Sequence, residues 1–351
     1  MLLHQDSGAA GTRSIYRSHD RPTPDDLLRW CAGDDLVADR GHCASWWNPA
    51  HRGYAYPEIT GLLLHHLATL GAASERRVQL ADALLRDGVG GVSRGGAAYT
   101  FDTGMALRGV LAHARRAGWG DGRREELART WTGLLVDAVR DRNPMADARV
   151  PAPPVPETRW SLSFGAHQTK VVGALLDSLR DLGPVPGLEQ AISDVVSGVG
   201  MLQEVSGRFR IHGASGLTYT HSHCYALEGL AMATPPATPY PAAVHAGVRW
   251  LADVQQPNGA LLAWHDGVRA FGPDRTDATA QAIRLWMLVD PHGYAVPAAA
   301  ARDFLSQCWA PPRGLRYGSE SMDVSSWATI FGAQALAWID DPDSADATVL
   351  V

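Results

Sequence analysis

Lysine is almost absent: Lys170 is the only one in 351 residues, and arginine supplies the rest of the positive charge. The formal net charge is −6 and no Lys/Arg run occurs, which argues against a nucleic-acid or anionic-membrane partner. Cys31, Cys43, Cys224 and Cys308 are scattered without a C-x-x-C pair, so neither a disulfide framework nor a zinc ribbon is indicated. No apolar run approaches the length of a membrane span. The start, Met1-Leu2-Leu3-His4-Gln5-Asp6, lacks the basic and apolar regions of a secretion signal. These absences predict a cytoplasmic protein with reduced thiols and no membrane contact. No metal or cofactor motif is present, and nothing specifies an oligomeric state.

What is present is the composition of a soluble globular chain, 46% hydrophobic and 19% charged, long enough for one large domain or two ordinary ones. Residues 1–22 are polar and read as irregular. A helix then runs from Thr23 through Trp30, with Thr23 as its cap and Pro24 at its first position. A loop holding Trp46, Trp47, Tyr54 and Tyr56 follows.

From there one pattern recurs: an apolar helix rich in Gly and Ala, a break, an amphipathic helix, a loop. The apolar helices begin near Glu58, Asp102, His167, His223, Asp277 and Trp327. The amphipathic ones are Ser74–Asp87, Asp121–Arg142, Pro186–Gln203, Pro241–Gln256 and Pro297–Cys308, with the helix at Thr23 as the sixth. In Asp121–Arg142 the apolar residues Leu127, Trp131, Leu134, Leu135 and Ala138 form one stripe among arginines, as an outer helix requires. Asp102–Ala117 is apolar on most sides, as an inner helix requires. Six such hairpins predict an all-α fold, an (α/α)6 toroid with inner and outer helix rings, as a single domain over residues 23–340. The Pro-rich segment Asn143–Glu157 is expected to be a loop, and the tail 341–351 to fray.

In such a ring all six inner N-termini open on one face. That gathers Tyr56 and Glu58, Asp102, His167, His221 and His223, Arg275 and Asp277, and Ser326 with Trp327. Loops entering these helices add Trp46, Trp47, Trp160, Tyr219, Trp264 and Tyr317. The densest cluster is Thr220–Leu230, with His221, His223, Cys224, Tyr225 and Glu228 at the mouth of a buried helix capped by Thr220 or Ser222. Acids and histidines within aromatic walls suit sugar stacking and proton transfer, so His223, His221, Asp102, Glu58 and Asp277 are the candidate catalytic groups. Tyr56, His167, Tyr225, Arg275, Trp327, Trp46 and Trp47 are the candidate substrate-binding groups. Plainer readings stand beside these. Asp102 and Asp277 occupy positions suited to helix caps, and Glu58 suits a helix dipole. His223 could simply hold the Gly207–Thr220 segment by bonding a loop carbonyl. Metal binding at His221-x-His223-Cys224 is disfavoured, because helical residues two apart point to different sides.

Tyr56-Pro-Glu-Ile-Thr-Gly61, Phe101-Asp-Thr-Gly104, His223-Cys-Tyr-Ala-Leu-Glu-Gly229, Asp277-Ala-Thr-Ala-Gln-Ala282 and Ser326-Trp-Ala-Thr-Ile-Phe-Gly-Ala-Gln-Ala-Leu336 stand in that order. They resemble six-hairpin proteins of bacterial polysaccharide and glycoconjugate gene clusters. Those are similar in turn to sugar 2-epimerases, uronyl epimerases and unsaturated glucuronyl hydrolases. The resemblance spans roughly residues 40–340 and implies an enzyme acting on a sugar or oligosaccharide as an epimerase, lyase or hydrolase. Six helix N-termini aimed at one cavity, with Arg275 and the histidines, set the expectation of an anionic substrate bearing a carboxylate or phosphate, with Trp327 stacking on its ring. Two alternatives stay open: a cyclase of a hydrocarbon or peptide in the same barrel, and a non-catalytic glycan binder. The Asp277 element also resembles terpene cyclases, but no Asp-x-Asp-Asp motif occurs. Of the lanthipeptide-cyclase zinc motifs, only Trp30-Cys31-Ala32-Gly33 has a counterpart.

Overall fold

The computed structural model describes residues 21–88, 90–94, 97–143, 145 and 161–351. The segment 1–20, Trp160 and nearly all of the Pro-rich loop lie outside the described residues. Among the described residues the chain forms twelve α-helices. Six are inner: α2 (Pro57–Leu70), α4 (Thr100–Ala117), α6 (Val171–Leu182), α8 (Thr220–Ala233), α10 (Thr276–Val289) and α12 (Ser326–Asp340). Six are outer: α1 (Pro24–Ala32), α3 (Ser74–Asp87), α5 (Arg123–Arg140), α7 (Leu188–Gly200), α9 (Ala242–Asp253) and α11 (Ala295–Gln307).

Each inner helix packs against the next, and α12 returns to α2. The outer helices lie against this ring, and α1 covers α12 to complete the sixth pair. The fold is an (α/α)6 toroid, as the repeat spacing predicts. The capping box foreseen at Thr23 is present: Thr23 Oγ1 accepts from Asp26 N, and the Asp26 carboxylate accepts from Thr23 N. In α5 the buried positions are Leu127, Trp131, Leu135 and Ala138 with their neighbours, leaving the arginine face outside. By contrast α4 is buried at every position from Thr100 to Ala114. Glycine allows this crowding. A Cβ on Gly61 would stand 2.4 Å from Met105 O, and one on Gly109 would stand 2.5 Å from Gly61 O, so α2 and α4 meet backbone to backbone.

Among the described residues seven short strands decorate the loops. β1 (Trp46–Trp47) pairs with β7 (Val324–Ser325), joining the first loop to the last. β2 (Ser93–Arg94) pairs with β3 (Ala97–Ala98). β4 (Thr218–Tyr219), β5 (Leu262–His265) and β6 (Ala270–Asp274) form an antiparallel sheet linking the loops before α8 and α10.

Three expectations change. The third inner helix does not begin at His167 as an α-helix; a 3-10 turn, Ala166–Lys170, leads into α6. The cap of α8 is neither Thr220 nor Ser222 but Tyr219, and Thr220 Oγ1 donates to Leu262 O. The tail does not fray either, because Leu350 and Val351 are fully buried. The tail lies against the inner helices, where their side chains are polar. Arg108 donates to Leu350 O and Thr348 O, Gln334 to Val349 O, and Lys170 and Arg284 to Val351 O.

Glu228 sits at the centre of this layer, with no exposure, and accepts from Lys170 (2.5 Å), Gln281 (3.1 Å) and Arg284. A charge removed from water persists only when its partners replace the lost hydration. Burial pushes the Lys170 ammonium down to about 7, against Glu228, which favours the charged form. Replacing Glu228 by Gln keeps the volume and removes the counter-charge, so urea denaturation should show a loss of about 3–5 kcal/mol. A second expectation concerns pH. Folded Lys170 sheds its proton near pH 7 while the unfolded lysine holds its own to 10.5. The unfolded state therefore binds more protons between these values, and this group's contribution to stability rises with pH. Relative to Lys170→Met, the wild type should gain stability between pH 7 and 9 in denaturant titrations.

Candidate active site

The loop entering an inner helix is held at one residue by two main-chain bonds. Before α2, Cys43 N donates to Thr60 Oγ1 (2.9 Å) and Cys43 O accepts from Tyr56 N (2.9 Å). Before α4 the same roles fall to Val92, with Thr103 Oγ1 (3.0 Å) and Tyr99 N (2.9 Å). Leu261 is held by Thr279 (3.0 Å) and Arg275 (2.8 Å), and Leu315 by Thr329 (2.9 Å) and Ser325 (2.8 Å). In each case the threonine lies four residues after the cap residue. This repeated clamp sets the rotation of each inner helix, and so decides which first-turn side chains look into the ring.

Those side chains are Glu58, His221, Asp277 and Trp327, each the second residue of its helix, with Phe101 and Asp102 from α4 and His167 from the 3-10 turn. They line a cavity of about 210 Å³ together with Tyr54, Tyr56, Tyr99, Ser161, Tyr219, Tyr225, Arg275 and Tyr317. Six of the nine tyrosines in the chain gather here, so the wall is mostly phenol, carboxyl and imidazole. Asp102 and Asp277 are not the caps. The cap residues are Tyr99 and Arg275, and the acids sit inside the first turn. Tyr56, Tyr99, Tyr219 and Arg275 make no side-chain capping bond; they line the cavity instead.

The electrostatics follow from burial and one ion pair. Arg275 grips Asp277 with two bonds, Nε to Oδ1 (3.0 Å) and Nη2 to Oδ2 (2.5 Å), and Ala278 N donates to Asp277 Oδ1 (2.8 Å). Burial pushes the Asp277 carboxyl up, but Arg275 and His221 together outweigh it and hold Asp277 below its ordinary value. His221 Nδ1 lies 3.6 Å from Asp277 Oδ2, yet burial still lowers its pKa to about 4. Burial and the neighbouring His221 and His212 lower His167 to about 3. Both imidazoles are therefore neutral near pH 7. Glu58 Oε1 accepts from Trp327 Nε1 (3.0 Å). The Tyr225 hydroxyl is buried and has no hydrogen-bond partner among the described residues.

The cavity thus brings together Glu58, Asp102, Asp277, His221, Tyr56, His167, Tyr225, Arg275 and Trp327. It does not include His223, which turns away from the ring axis and takes the clamp role that threonine plays elsewhere. His223 Nδ1 accepts from Phe209 N (3.1 Å), and Nε2 lies 3.2 Å from Gly247 O. Both ring nitrogens are engaged by backbone, and burial lowers the pKa to about 3. Trp47 also lies elsewhere, beneath the Arg313 guanidinium at 3.6 Å. Trp46 lies outside the cavity on an adjoining groove. Trp264 packs against Tyr219 with the rings tilted at 46°. Among the described residues no group of three or more His, Cys, Asp or Glu is placed to hold a metal ion, and no helix is long and apolar enough to cross a membrane. Tyr54, Tyr99, Phe101 and Ser161 are the lining residues that sequence reasoning left out. The available signal was a cap tyrosine two or three residues before an acid or histidine, as in Tyr56-Pro-Glu58, Tyr99-Thr-Phe-Asp102 and Tyr219-Thr-His221.

The chain is similar over almost its whole length to solved structures named as a lyase and as glycosidases. They include a polysaccharide lyase (12% identity, TM-score 0.62, 91% of this chain and 98% of that one). They also include a glycosidase (14%, 0.66, 92% and 99%) and a glycosyl hydrolase family 88 protein from Bacteroides vulgatus (11%, 0.58, 92% and 99%). At these identities the likeness establishes the fold. No protein-family model matches the chain, and no curated protein matches it in sequence.

The placement of His223 carries its own test. His223→Ala leaves Phe209 N–H buried without its acceptor, which costs about 1–3 kcal/mol. Thermal melting should register that loss while the shape of the cavity, read by ligand affinity, stays as it was.

Proposed function

We propose that this protein is a carbohydrate-active enzyme that hydrolyses a glycosidic bond with carboxyl groups at the inner-helix mouth. The observation that carries this reading is the buried cavity in which Glu58, Asp102 and Asp277 converge within a ring of tyrosines. Its support from outside the chain is the shared fold with proteins named as glycosidases and a polysaccharide lyase.

Glycoside hydrolysis divides between two carboxyls: one gives a proton to the leaving oxygen, and the other acts ionised as base or nucleophile. Asp277 suits the ionised role, because Arg275 holds it as an anion. Glu58 or Asp102 supplies the proton. His221, neutral and beside Asp277, orients the carboxylate or a water rather than carrying charge. Tyr225, with its hydroxyl buried and unpartnered among the described residues, donates to a sugar hydroxyl. An orphaned buried donor costs about 1–3 kcal/mol, which a ligand oxygen recovers.

The charge also chooses the substrate. Among the described residues three carboxyls face one guanidinium, that guanidinium is held by Asp277, and the histidines His167 and His221 are neutral. An uncharged sugar fits this wall better than the anionic one expected from helix dipoles and histidine charge. The same balance argues against β-elimination, which needs cationic groups to stabilise a carboxylate as it becomes an enolate.

The test is turnover of neutral oligosaccharides, followed by the release of reducing ends. Asp277→Asn should lower kcat by about 10²–10⁴ on every substrate. Of Glu58→Gln and Asp102→Asn, the variant that removes the acid should lose as much on natural linkages yet keep activity on aryl glycosides, whose leaving group needs no proton. If all three variants turn over normally, the cavity is not the catalytic site.

A further inference from the structure

Outside the cavity lies a larger groove of about 850 Å³ that shares Arg275 and Tyr317 with it. Two neighbouring loops build the groove. On one side are the turn at Gln256–Asn258 and strand β6; on the other is the turn Tyr317–Asp323. Asp274 ties the two together, accepting from Ser319 N (2.9 Å) and Ser319 Oγ (2.5 Å). The loops also approach very closely, since a Cβ on Gly318 would stand 2.4 Å from Asp274 Oδ1. Arg275 lies over Tyr317 at 4.3 Å and marks the threshold between the two spaces.

An unbroken row of aromatic rings leads from one space to the other. Trp46 on the groove wall meets Tyr54, Tyr54 meets Tyr56, and Tyr56 meets Trp327 beside Glu58, each pair with centroids 5.3 Å apart. The volumes differ in kind. About 210 Å³ is below the 300–1,000 Å³ of an ordinary ligand pocket, whereas 850 Å³ lies well inside that range. The cavity can therefore hold only a small part of a ligand, and the space for the remainder opens at its threshold. The cavity is closed underneath, where Lys170 sits below Tyr225 and the tail lies against the inner helices. Among the described residues the groove's charged groups besides Arg275 are Asp274, Glu320 and Asp323, all acidic.

We infer that this groove is a distal binding site for the rest of an uncharged oligosaccharide whose end unit occupies the cavity, with Trp46 as its outermost stacking surface. The inference rests on the proposed function for the identity of the ligand, and it adds a dependence on chain length that hydrolysis alone does not require. Aromatic faces accept the apolar faces of sugar rings, and the acidic wall discriminates against uronates.

The experiment is calorimetry of the full chain with neutral gluco-oligosaccharides of increasing length and with uronate-bearing oligosaccharides, run beside turnover on the same series. Affinity for a neutral series should rise with each added unit until the groove is filled. Trp46→Ala should weaken the longest ligand roughly tenfold and the shortest far less, while Trp46→Phe keeps most of the gain. Glu320→Trp, at an exposed position on the groove wall, should block the groove and erase the same increment even if Trp46→Ala folds poorly. Length-dependent binding without cleavage would sink the hydrolase reading and leave the groove standing. Cleavage with affinity independent of length would do the reverse. Binding of uronates in preference to neutral chains, or of no oligosaccharide at all, overturns the inference.

Discussion

Two main-chain hydrogen bonds at a single loop residue determine how this molecule presents its chemistry. At Cys43, Val92, Leu261 and Leu315 the loop's amide meets a threonine hydroxyl inside the helix, and its carbonyl meets the amide of the cap residue. Buried amides and carbonyls must be paired, so this arrangement satisfies the loop while locking it to the helix. Because the side chains of a helix are fixed by its rotation, one clamp decides that Glu58, Asp277 and Trp327 face inward. Ladders of side chains from different hairpins therefore meet without touching one another in sequence.

Below the cavity the same ring closes in another way. Glu228 holds Lys170 and Arg284, and these in turn hold the main chain of the tail. Buried ion pairs add little to stability against an apolar alternative, but leaving one member without its partner is severe. The network thus penalises any packing in which the inner helices slip relative to one another. It also gives the cavity a closed floor, with Lys170 under the rings of Tyr225 and Phe331. The mouth gathers the acidic, imidazole and phenolic side chains, and the base is mechanically fixed.

His221 and His223 show how finely this division runs. They are two residues apart on α8, so the helix turns them to different sides. His221 lies against Tyr225 at 4.3 Å within the cavity, while His223 lies against Trp250 at 4.6 Å between the helix rings. Burial lowers the pKa of both, so neither pKa nor residue type separates them. What separates them is the partner. His223 has spent both nitrogens on the backbone, and His221 faces a carboxylate.

The architecture is legible in the amino-acid pattern alone, because its causes are local and repeated. Apolar residues such as Leu127, Trp131, Leu135 and Ala138 at helical spacing mark an outer helix, Gly61 and Gly109 mark an inner one, and Thr23 with Pro24 marks a helix start. Repetition of such signals six times leaves little freedom of topology, and it also places Glu58, Asp102, His167, His221 and Asp277 at one mouth. Tertiary structure alone decided the rest. Which way His223 turns depends on Phe209 and Gly247, fourteen and twenty-four residues away. The charge of the histidines depends on burial that no single helix reveals. The Asp-rich start of the tail, at Asp340-Asp341-Pro342-Asp343, conceals that Leu350 and Val351 lie buried beside Arg108, Lys170 and Arg284, residues contributed by three different hairpins. These features arise from contacts between distant segments, and local patterning carries no record of them.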